Sequence, residues 1–448
     1  MRIIDSSWSV VSEPIPKPSS LPPQKQPLRS LYVDLNSYFA SVEQQLNPEL
    51  RGRPIAVTPV MADGGCCLAA SYEAKRFGVR TGTRVGEARA LCPEIVFVKS
   101  RFREYIEMHH RIIAAVDSCL PVEQVLSVDE MSCRLARGER EPHEARALAE
   151  RVKASIAERA GECLRCSIGI APNRFLAKLA TELQKPDGLV VLETGDLPER
   201  LIHLNLIDIP GIGRQMDLRL RRAGIGDVRD LYAASEADLE RAWGGVMGRY
   251  WHRWLRGEET DQRPTQRRSI GHQHVLPPDC RTRPEAYAVA VRLLHKAAAR
   301  MRHLDYFAQR LSLSVGFAGQ KRGPWGSAEE HDERNRTFHT AATLPGGKQD
   351  TITLAAVLRD LWARCPDRTP NFVSVTLSEL LPRSSVTGPL FPEEQQRERL
   401  SQLIDELDAS HGPMTVYTGA MHEARKRASG GIAFRGVPDL SLPDSIGP

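Results

Sequence analysis

No apolar run in this sequence approaches the roughly 20 residues that a membrane-spanning helix needs, so membrane helices are excluded and no membrane partner is expected. Cysteine is scarce and odd in number, nine in 448 residues, and scattered along the chain, which argues against a disulfide framework. Cys163 and Cys166 form a CxxC, yet no second Cys or His pair follows at zinc-like spacing. Because Cys166 opens the apolar run CSIGIA, it reads as a buried strand cysteine, with a zinc or redox pair as the alternative. The first 28 residues contain prolines and serines but no apolar stretch followed by a small-residue cleavage site. They are expected to form a flexible leader rather than a secretory signal, and the chain is expected to be cytoplasmic. Internal repeats and long low-complexity tracts are also missing.

What is present suits a soluble protein of about three domains: 41% hydrophobic residues, enough for several cores, and 26% charged residues. The net charge of +5 says little, but its distribution says more. From Arg253 to Arg302 there are eleven Lys or Arg against five Asp or Glu, a local +6. Such a concentration suits a polyanion, because neutralised phosphates release condensed counterions; a solvated helix face is the plainer reading.

Strands and helices interleave in the first part of the chain. Leu31–Leu35 is β-prone, and Asn36-Ser37 is expected to cap a helix through Gln45. Pro54–Thr58, Gly65–Ala70, Gln124–Val128 and Cys166–Ile170 read as further strands. Tyr72–Arg76, Arg84–Leu91, Phe102–Cys119, Pro142–Ala160 and Asn173–Leu183 read as helices, the last ending at the turn Lys185-Pro-Asp-Gly188. From Pro198 to Gly257 the pattern is helical and short-segmented, and Glu258–Arg268 reads as a charged linker. A strand, helix, strand, Gly-rich loop (Ala318–Glu333), strand, helix and strand then fill 269–380, the order of a two-layer α+β module. Beyond Pro382 only a helix around Gln395–Leu407 is expected in an otherwise irregular tail.

Asp34 ends a strand whose neighbours are apolar, and Asp129-Glu130 ends another. An ionised carboxylate in apolar surroundings is costly unless a cation offsets it. Three of them on adjacent strands suit hard, oxygen-seeking ions such as magnesium, and two ions about 3.5–4 Å apart can serve an in-line phosphoryl transfer. Neighbouring residues on a regular strand face opposite ways, so Asp129 and Glu130 can share an ion only at a strand end or bulge. By themselves, these carboxylates read more readily as solvent-facing strand ends than as a metal site.

Four ordered blocks carry a resemblance. Val33–Glu43 (VDLNSYFASVE) and Ser127–Glu130 (SVDE) resemble the two signatures of the Y-family, or translesion, DNA polymerases of the polymerase IV/V type. Ser71–Val79 (SYEAKRFGV) is similar to their nucleotide-binding segment, and Ser167–Ala180 with Lys185–Gly188 to a further block. The resemblance runs in order from about residue 30 to 380. It implies an enzyme that adds deoxynucleotides to a primer 3′-hydroxyl on a DNA template, with two Mg²⁺ ions as cofactors and low fidelity at damaged bases. Asp34, Asp129 and Glu130 match its metal-binding carboxylates, and the Leu35 carbonyl a further ligand. Phe39 falls where a bulky ring crowds the ribose 2′-hydroxyl, although a core aromatic is the ordinary reading of such a position. Tyr72, Lys75 and Lys185 match residues that hold the triphosphate of the dNTP, with Arg76 beside them.

Three departures stand out. Lys75 occupies a position where Arg is common, so which of Lys75 and Arg76 grips phosphate is open. Ala69 replaces a usual hydroxyl residue, and Met131 a smaller one. None of these touches the carboxylates.

Ile209-Pro-Gly-Ile-Gly213 followed by Arg214 resembles a helix-hairpin-helix, in which Gly211 and Gly213 let backbone N–H groups reach a DNA phosphate. Arg267 and Arg268 open the basic module that the resemblance assigns to the backbone of the duplex. In the tail, Leu390-Phe391 is reminiscent of peptides that bind the sliding clamp, without the usual glutamine, and Gly431–Phe434 resembles the tail of a damage-response branch.

The expected fold is therefore α+β and multidomain, a right-hand polymerase. After the leader (1–28) come an α/β palm (29–45 and 92–188), small fingers (46–91) and a helical thumb with the hairpin (189–257). A linker (258–268), a β-α-β-β-α-β little finger (269–382) and a C-terminal tail (383–448) complete it. The rivals are a catalytically lost relative that acts as a clamp- or partner-binding adaptor and another two-metal palm enzyme such as a nucleotide cyclase. Retained carboxylates argue against the first, and the hairpin and basic module against the second.

Overall fold

The computed structural model describes residues 26–260 apart from Ala62 and Gly64, then 267–317, 337–412 and 415–422. The leader up to residue 25, the middle of the linker, the Gly-rich loop and Gly431–Phe434 lie outside the described residues. In chain order the first elements are β1 (Ser30–Leu35), α1 (Tyr38–Leu46), β2 (Ile55–Thr58), β3 (Ala69–Ala70), α2 (Tyr72–Lys75), α3 (Val85–Leu91) and β4 (Val96–Lys99). There follow α4 (Phe102–Asp117), β5 (Val122–Val125), β6 (Glu130–Arg134), α5 (Pro142–Arg159), β7 (Cys166–Ala171), α6 (Arg174–Leu183) and β8 (Leu189–Val191). Four short helices come next: α7 (Arg214–Arg222), α8 (Val228–Ala233), α9 (Glu236–Trp243) and α10 (Met247–Leu255). The last group is β9 (Ser269–Val275), α11 (Arg283–His303), β10 (Tyr306–Phe317), β11 (Thr337–Lys348), α12 (Thr351–Ala363), β12 (Pro370–Pro382) and α13 (Pro392–His411).

The strands form three sheets, ordered β5-β6-β1-β7-β8, β3-β2-β4 and β11-β10-β12-β9. Central placement explains why every residue of β1 and β7 is buried: a strand covered on both faces has no side for water. The described chain groups into two compact units, one of 26–32, 134–149 and 168–260, the other of 33–133, 150–167 and the residues from 267 onward.

In the first unit, β7 pairs in parallel with β8, and α6 packs on them. Gly169 makes this approach possible, since a Cβ there would stand 2.0 Å from the Ala177 carbonyl oxygen. Asn173 caps α6 by accepting from the Leu176 N–H at 2.9 Å. Its amide nitrogen donates to the carbonyls of Trp254 and Glu258, tying the helix start to the end of α10. Beside that tie Trp254 stacks on Phe175 and Tyr250, and Trp251 meets Phe175 edge-on.

In the second unit, β2, β3 and β4 carry a small cluster of Ala56, Ala70, Ala74, Val79, Ala88 and Ile95. Farther along, β9 to β12 form an antiparallel sheet whose Leu311, Leu313, Val315, Val373, Val375 and Leu377 pack under α11 and α12. The intervening residues Ser312, Ser314, Ser374 and Thr376 face the other way and are partly exposed, so this sheet has one apolar and one hydroxyl-rich face. The core of this module extends past Pro382, where an irregular tail was expected. Ser401 of α13 accepts from the Thr351 N–H at 3.1 Å, Asp405 takes both ends of the Arg302 guanidinium at 2.6 and 2.7 Å, and Met421 is fully buried in the same cluster.

Four expectations need correction. Ser37 does not cap α1 through its side chain; it sits in the left-handed region at φ 50, and Ser41 instead donates to the Asn36 carbonyl at 2.7 Å. Of Gly65–Ala70 only Ala69–Ala70 is strand, with a lone bridge from Cys66 to Arg84. The strand expected at Gln124–Val128 is Val122–Val125, and Glu130 opens the next strand, with Asp129 in the bend before it, rather than the pair ending that one. The segments β4, β6 and β8 are strands that the residue pattern did not reveal. Cys166 is a buried strand cysteine, and neither it nor Cys163 is in a disulfide.

A pH effect follows from the histidines of the last module. Burial pushes the imidazole of His272 down to about 4, with Lys296 and Arg300 adding to it. Burial pushes His295 down to about 4 as well, Arg302 assisting and Asp405 opposing. An unfolded histidine titrates near 6.5, so between that value and about 4 the unfolded chain binds more protons. Stability is therefore full above about pH 6.5 and declines as pH falls toward about 4. Thermal melts across this window should show the decline, and His272→Gln with His295→Gln should flatten it; equal slopes for wild type and variants would count against these two groups.

Candidate active site

Three features of β1 and the β5–β6 hairpin build the site. First, Asp34 sits in the fully buried run of β1 and is only 5% exposed. Second, the Leu35 N–H donates to the Asp129 carbonyl at 2.9 Å, so the end of β1 lies beside the hairpin turn. Third, that turn holds Asp129 outside regular strand. The N–H groups of Leu126 and Ser127 both donate to the Glu130 carbonyl, at 2.9 and 3.2 Å, and the Ser127 hydroxyl donates to Asp129 Oδ1 at 2.5 Å. Asp129 thus stands in a bend and Glu130 opens β6, which removes the pleat's requirement that they face opposite ways.

The backbone brings the three carboxylate positions to neighbouring strand ends, but the side chains are not gathered. Among the described residues no group of three or more His, Cys, Asp and Glu is placed to hold a metal ion. Asp129 is instead engaged with Ser127. The donor set, three carboxylates and the Leu35 carbonyl, is all hard oxygen and fits a divalent cation in chemistry.

Around this turn, burial raises the Tyr38 phenol, with the charge of Asp129 adding to it. His109 of α4 is fully buried, its imidazole pushed down to about 4 by burial with the Val128 backbone opposing. Phe39 is 9% exposed, and its ring stacks on Tyr105 with centroids 4.6 Å apart.

Tyr72 and Lys75 lie on α2, whose start is capped by Ser71 accepting from the Ala74 N–H at 3.3 Å. The Lys75 ammonium lies 4.3 Å from the centre of the Tyr72 ring, a cation–π arrangement that makes the two a unit. Arg76, at the helix C-terminus, is exposed. Lys185 belongs to the first unit, where it pairs with Glu182 at 2.9 Å while Lys178 pairs with the same oxygen at 2.8 Å. Burial alone would raise the Glu182 carboxyl, but the two lysines hold it below its ordinary value.

Gly211 takes φ 97, which only glycine adopts without strain, and Gly213 precedes the first turn of α7, which carries exposed Arg214, Arg219, Arg221 and Arg222. The helix before the hairpin is only a 3₁₀ turn, Leu206–Asp208. Arg267 and Arg268 are exposed ahead of β9. Leu390 and Phe391 are 82% and 64% exposed at the start of α13.

The chain matches the impB/mucB/samB family over residues 33–182 and the C-terminal domain of that family over 267–390. DNA polymerase IV of Moorella thermoacetica is 33% identical over 420 residues, covering 91% of this chain and 98% of that protein. The chain belongs to the Y family of DNA polymerases. DNA polymerase IV of Pelotomaculum thermopropionicum is 32% identical, with 86% and 93% of the two chains covered. Among solved structures, a Y-family polymerase chimera of Dbh with a short Dpo4 segment matches with a TM-score of 0.63 at 24% identity, covering 79% of this chain and 99% of that one. An insertion ternary complex of Dbh DNA polymerase matches at 0.51 and 23%, with the same coverage.

For this Y-family polymerase, sequence reasoning named the carboxylates and the ring at 39 but missed the groups that hold them. These are Ser127, and the set Glu43, Arg101 and Tyr105. One signal was available: Glu43 falls four residues after Phe39, an acid on the apolar face of a short helix. Among the described residues no helix is long and apolar enough to cross a membrane.

Proposed function

We propose that this translesion DNA polymerase extends a primer by attack of its 3′-oxygen on the α-phosphorus of a dNTP, with pyrophosphate leaving as the α–β bridge breaks. Family membership carries a divalent-cation requirement; the ions proposed are two Mg²⁺ held by the carboxylates of Asp34, Asp129 and Glu130 and the Leu35 carbonyl. Bound there, they would activate the 3′-hydroxyl and stabilise the leaving phosphate. The observation that carries this reading is the Leu35-to-Asp129 backbone hydrogen bond, which sets the two acidic signatures, 95 residues apart (129 − 34), side by side.

The chain's own groups take the remaining work. Tyr72, Lys75, Arg76 and Lys185 are proposed to hold the triphosphate, and Phe39 to crowd a ribose 2′-hydroxyl. Gly211, Gly213 and Arg214 would meet template or primer phosphates, with Arg267 and Arg268 meeting the duplex backbone beside the hydroxyl-rich sheet face. The proposed division into palm, fingers, thumb and little finger is the one given above, and the enzyme would act in the cytoplasm. The exposed Leu390-Phe391 pair supports a sliding-clamp contact. An adaptor without activity is disfavoured, because all three carboxylates remain.

Primer extension tests this. Incorporation should follow the templating base, cease in excess EDTA and return with Mg²⁺. Incorporation that persists in EDTA would discard the metal-dependent reading.

A further inference from the structure

The face of α1 that carries Phe39 also carries Glu43, one turn on, and both dock against α4. Glu43 is 0% exposed, which would be costly for a carboxylate without partners. It has four. The Arg101 guanidinium donates to both oxygens, Nε to Oε1 at 3.1 Å and Nη2 to Oε2 at 2.5 Å. The Tyr105 hydroxyl donates to Oε1 at 2.7 Å, and the Asn47 amide to Oε2 at 3.1 Å. The Tyr105 ring is therefore anchored at its hydroxyl by Glu43. At its backbone it is held by the Tyr38 hydroxyl, which donates to the Tyr105 carbonyl at 2.6 Å. Against this doubly anchored ring lies Phe39, nearly parallel at 24°, with Phe102 meeting Phe39 edge-on at 87°.

We infer that Glu43, Arg101 and Tyr105 form a positioning unit that fixes the Phe39 ring, so that discrimination between deoxyribose and ribose depends on the Tyr105 hydroxyl as well as on the bulk of residue 39. This rests on the proposed role of Phe39 and extends it. A gate that excludes one oxygen atom must hold its ring to a fraction of an ångström, and an aromatic on a nine-residue helix has no such rigidity alone. Stacking supplies contact but permits sliding, whereas the bond from the Tyr105 hydroxyl to a buried carboxylate stops the supporting ring from sliding. The Arg101 fork holds that carboxylate in one orientation. None of these three residues is assigned a direct contact with the nucleotide; they act through Phe39.

The measurement is the ratio of kcat/KM for a dNTP to that for the matching rNTP, in the full-length enzyme with primer-template and Mg²⁺. Tyr105→Phe keeps the ring and removes only the hydroxyl. It should lower the ratio roughly tenfold, the size expected for loss of a hydrogen bond to a charged group. Glu43→Gln should lower it too; if that variant fails to fold, Tyr105→Phe and Arg101→Lys carry the test. A destabilised control, Leu148→Ala in the α5 core, should lower the melting temperature and leave the ratio at the wild-type value.

In the double variant Phe39→Ala with Tyr105→Phe, the hydroxyl should have no further effect, because its action passes through residue 39. If Phe39→Ala relaxes the ratio and Tyr105→Phe leaves it unchanged, the positioning unit is overturned and the gate stands. If Phe39→Ala itself leaves the ratio unchanged, the gate falls and the positioning unit with it. Equal relaxation by Leu148→Ala would also overturn the inference, since general loosening would then suffice.

Discussion

Primer extension by Asp129→Ala is expected to fall by a factor of about 10³ or more while the protein stays folded and keeps its DNA affinity. The asymmetry follows from what the side chain touches. Asp129 is half-exposed in a turn whose shape is set by backbone bonds to the Glu130 carbonyl, and its Oδ1 accepts from Ser127. Replacing it with alanine removes the bond from Ser127 and leaves the ladder to β1 intact, so the melting temperature should shift by no more than about 2 °C. Chemistry loses far more, because an acidic ligand to the proposed ions disappears at the point where charge develops. Single-turnover incorporation with saturating dNTP separates the two effects. Wild-type rates in the variant would remove Asp129 from the catalytic set, and a collapse of folding would make the loss uninformative about chemistry.

The second large effect concerns sugar choice. Phe39→Ala should lower the dNTP-to-rNTP preference by about 100-fold, mostly through faster ribonucleotide addition, because the substitution opens space and leaves the carboxylates in place. It also has a structural cost: Phe39 is nearly buried and stacks on Tyr105, and removing such a ring costs about 3–5 kcal/mol. Phe39→Leu retains more volume and should give a smaller loss of stability with a graded loss of selectivity. A folded Phe39→Ala protein with unchanged preference would reduce residue 39 to a core aromatic, its plainest reading.

The sequence made the four-stranded module easy to read, and the reason is physical. In β10 and β12 apolar and hydroxyl residues alternate strictly, Leu311-Ser312-Leu313-Ser314-Val315 and Val373-Ser374-Val375-Thr376-Leu377, because one face meets the helices and the other does not. Where that contrast is missing, the reading failed. In Glu130-Met-Ser-Cys-Arg134 burial does not alternate, since Met131, Ser132 and Cys133 are all buried, and its hairpin turns on Ser127-Val-Asp129 with neither Gly nor Asn to mark it. At three residues, β8 is too short to carry a period.

Positive φ at Ser37 escaped notice for a similar reason, since serine before a helix ordinarily signals a cap. In the site, the identities of the acids were legible through their resemblance to a family, but their meeting was not, because a contact between residues 35 and 129 leaves no local trace. The supports were less legible still. A buried Glu43 is recognisable only once Arg101 and Tyr105, far along the chain, are known to reach it.

Met421 fills part of the core under α11, yet it comes 39 residues after the last strand ends at Pro382 (421 − 382). A ribosome that has released the four strands and two long helices has therefore not yet delivered every group that seals them. Until those later residues emerge, the nascent module keeps an apolar opening on its helical side.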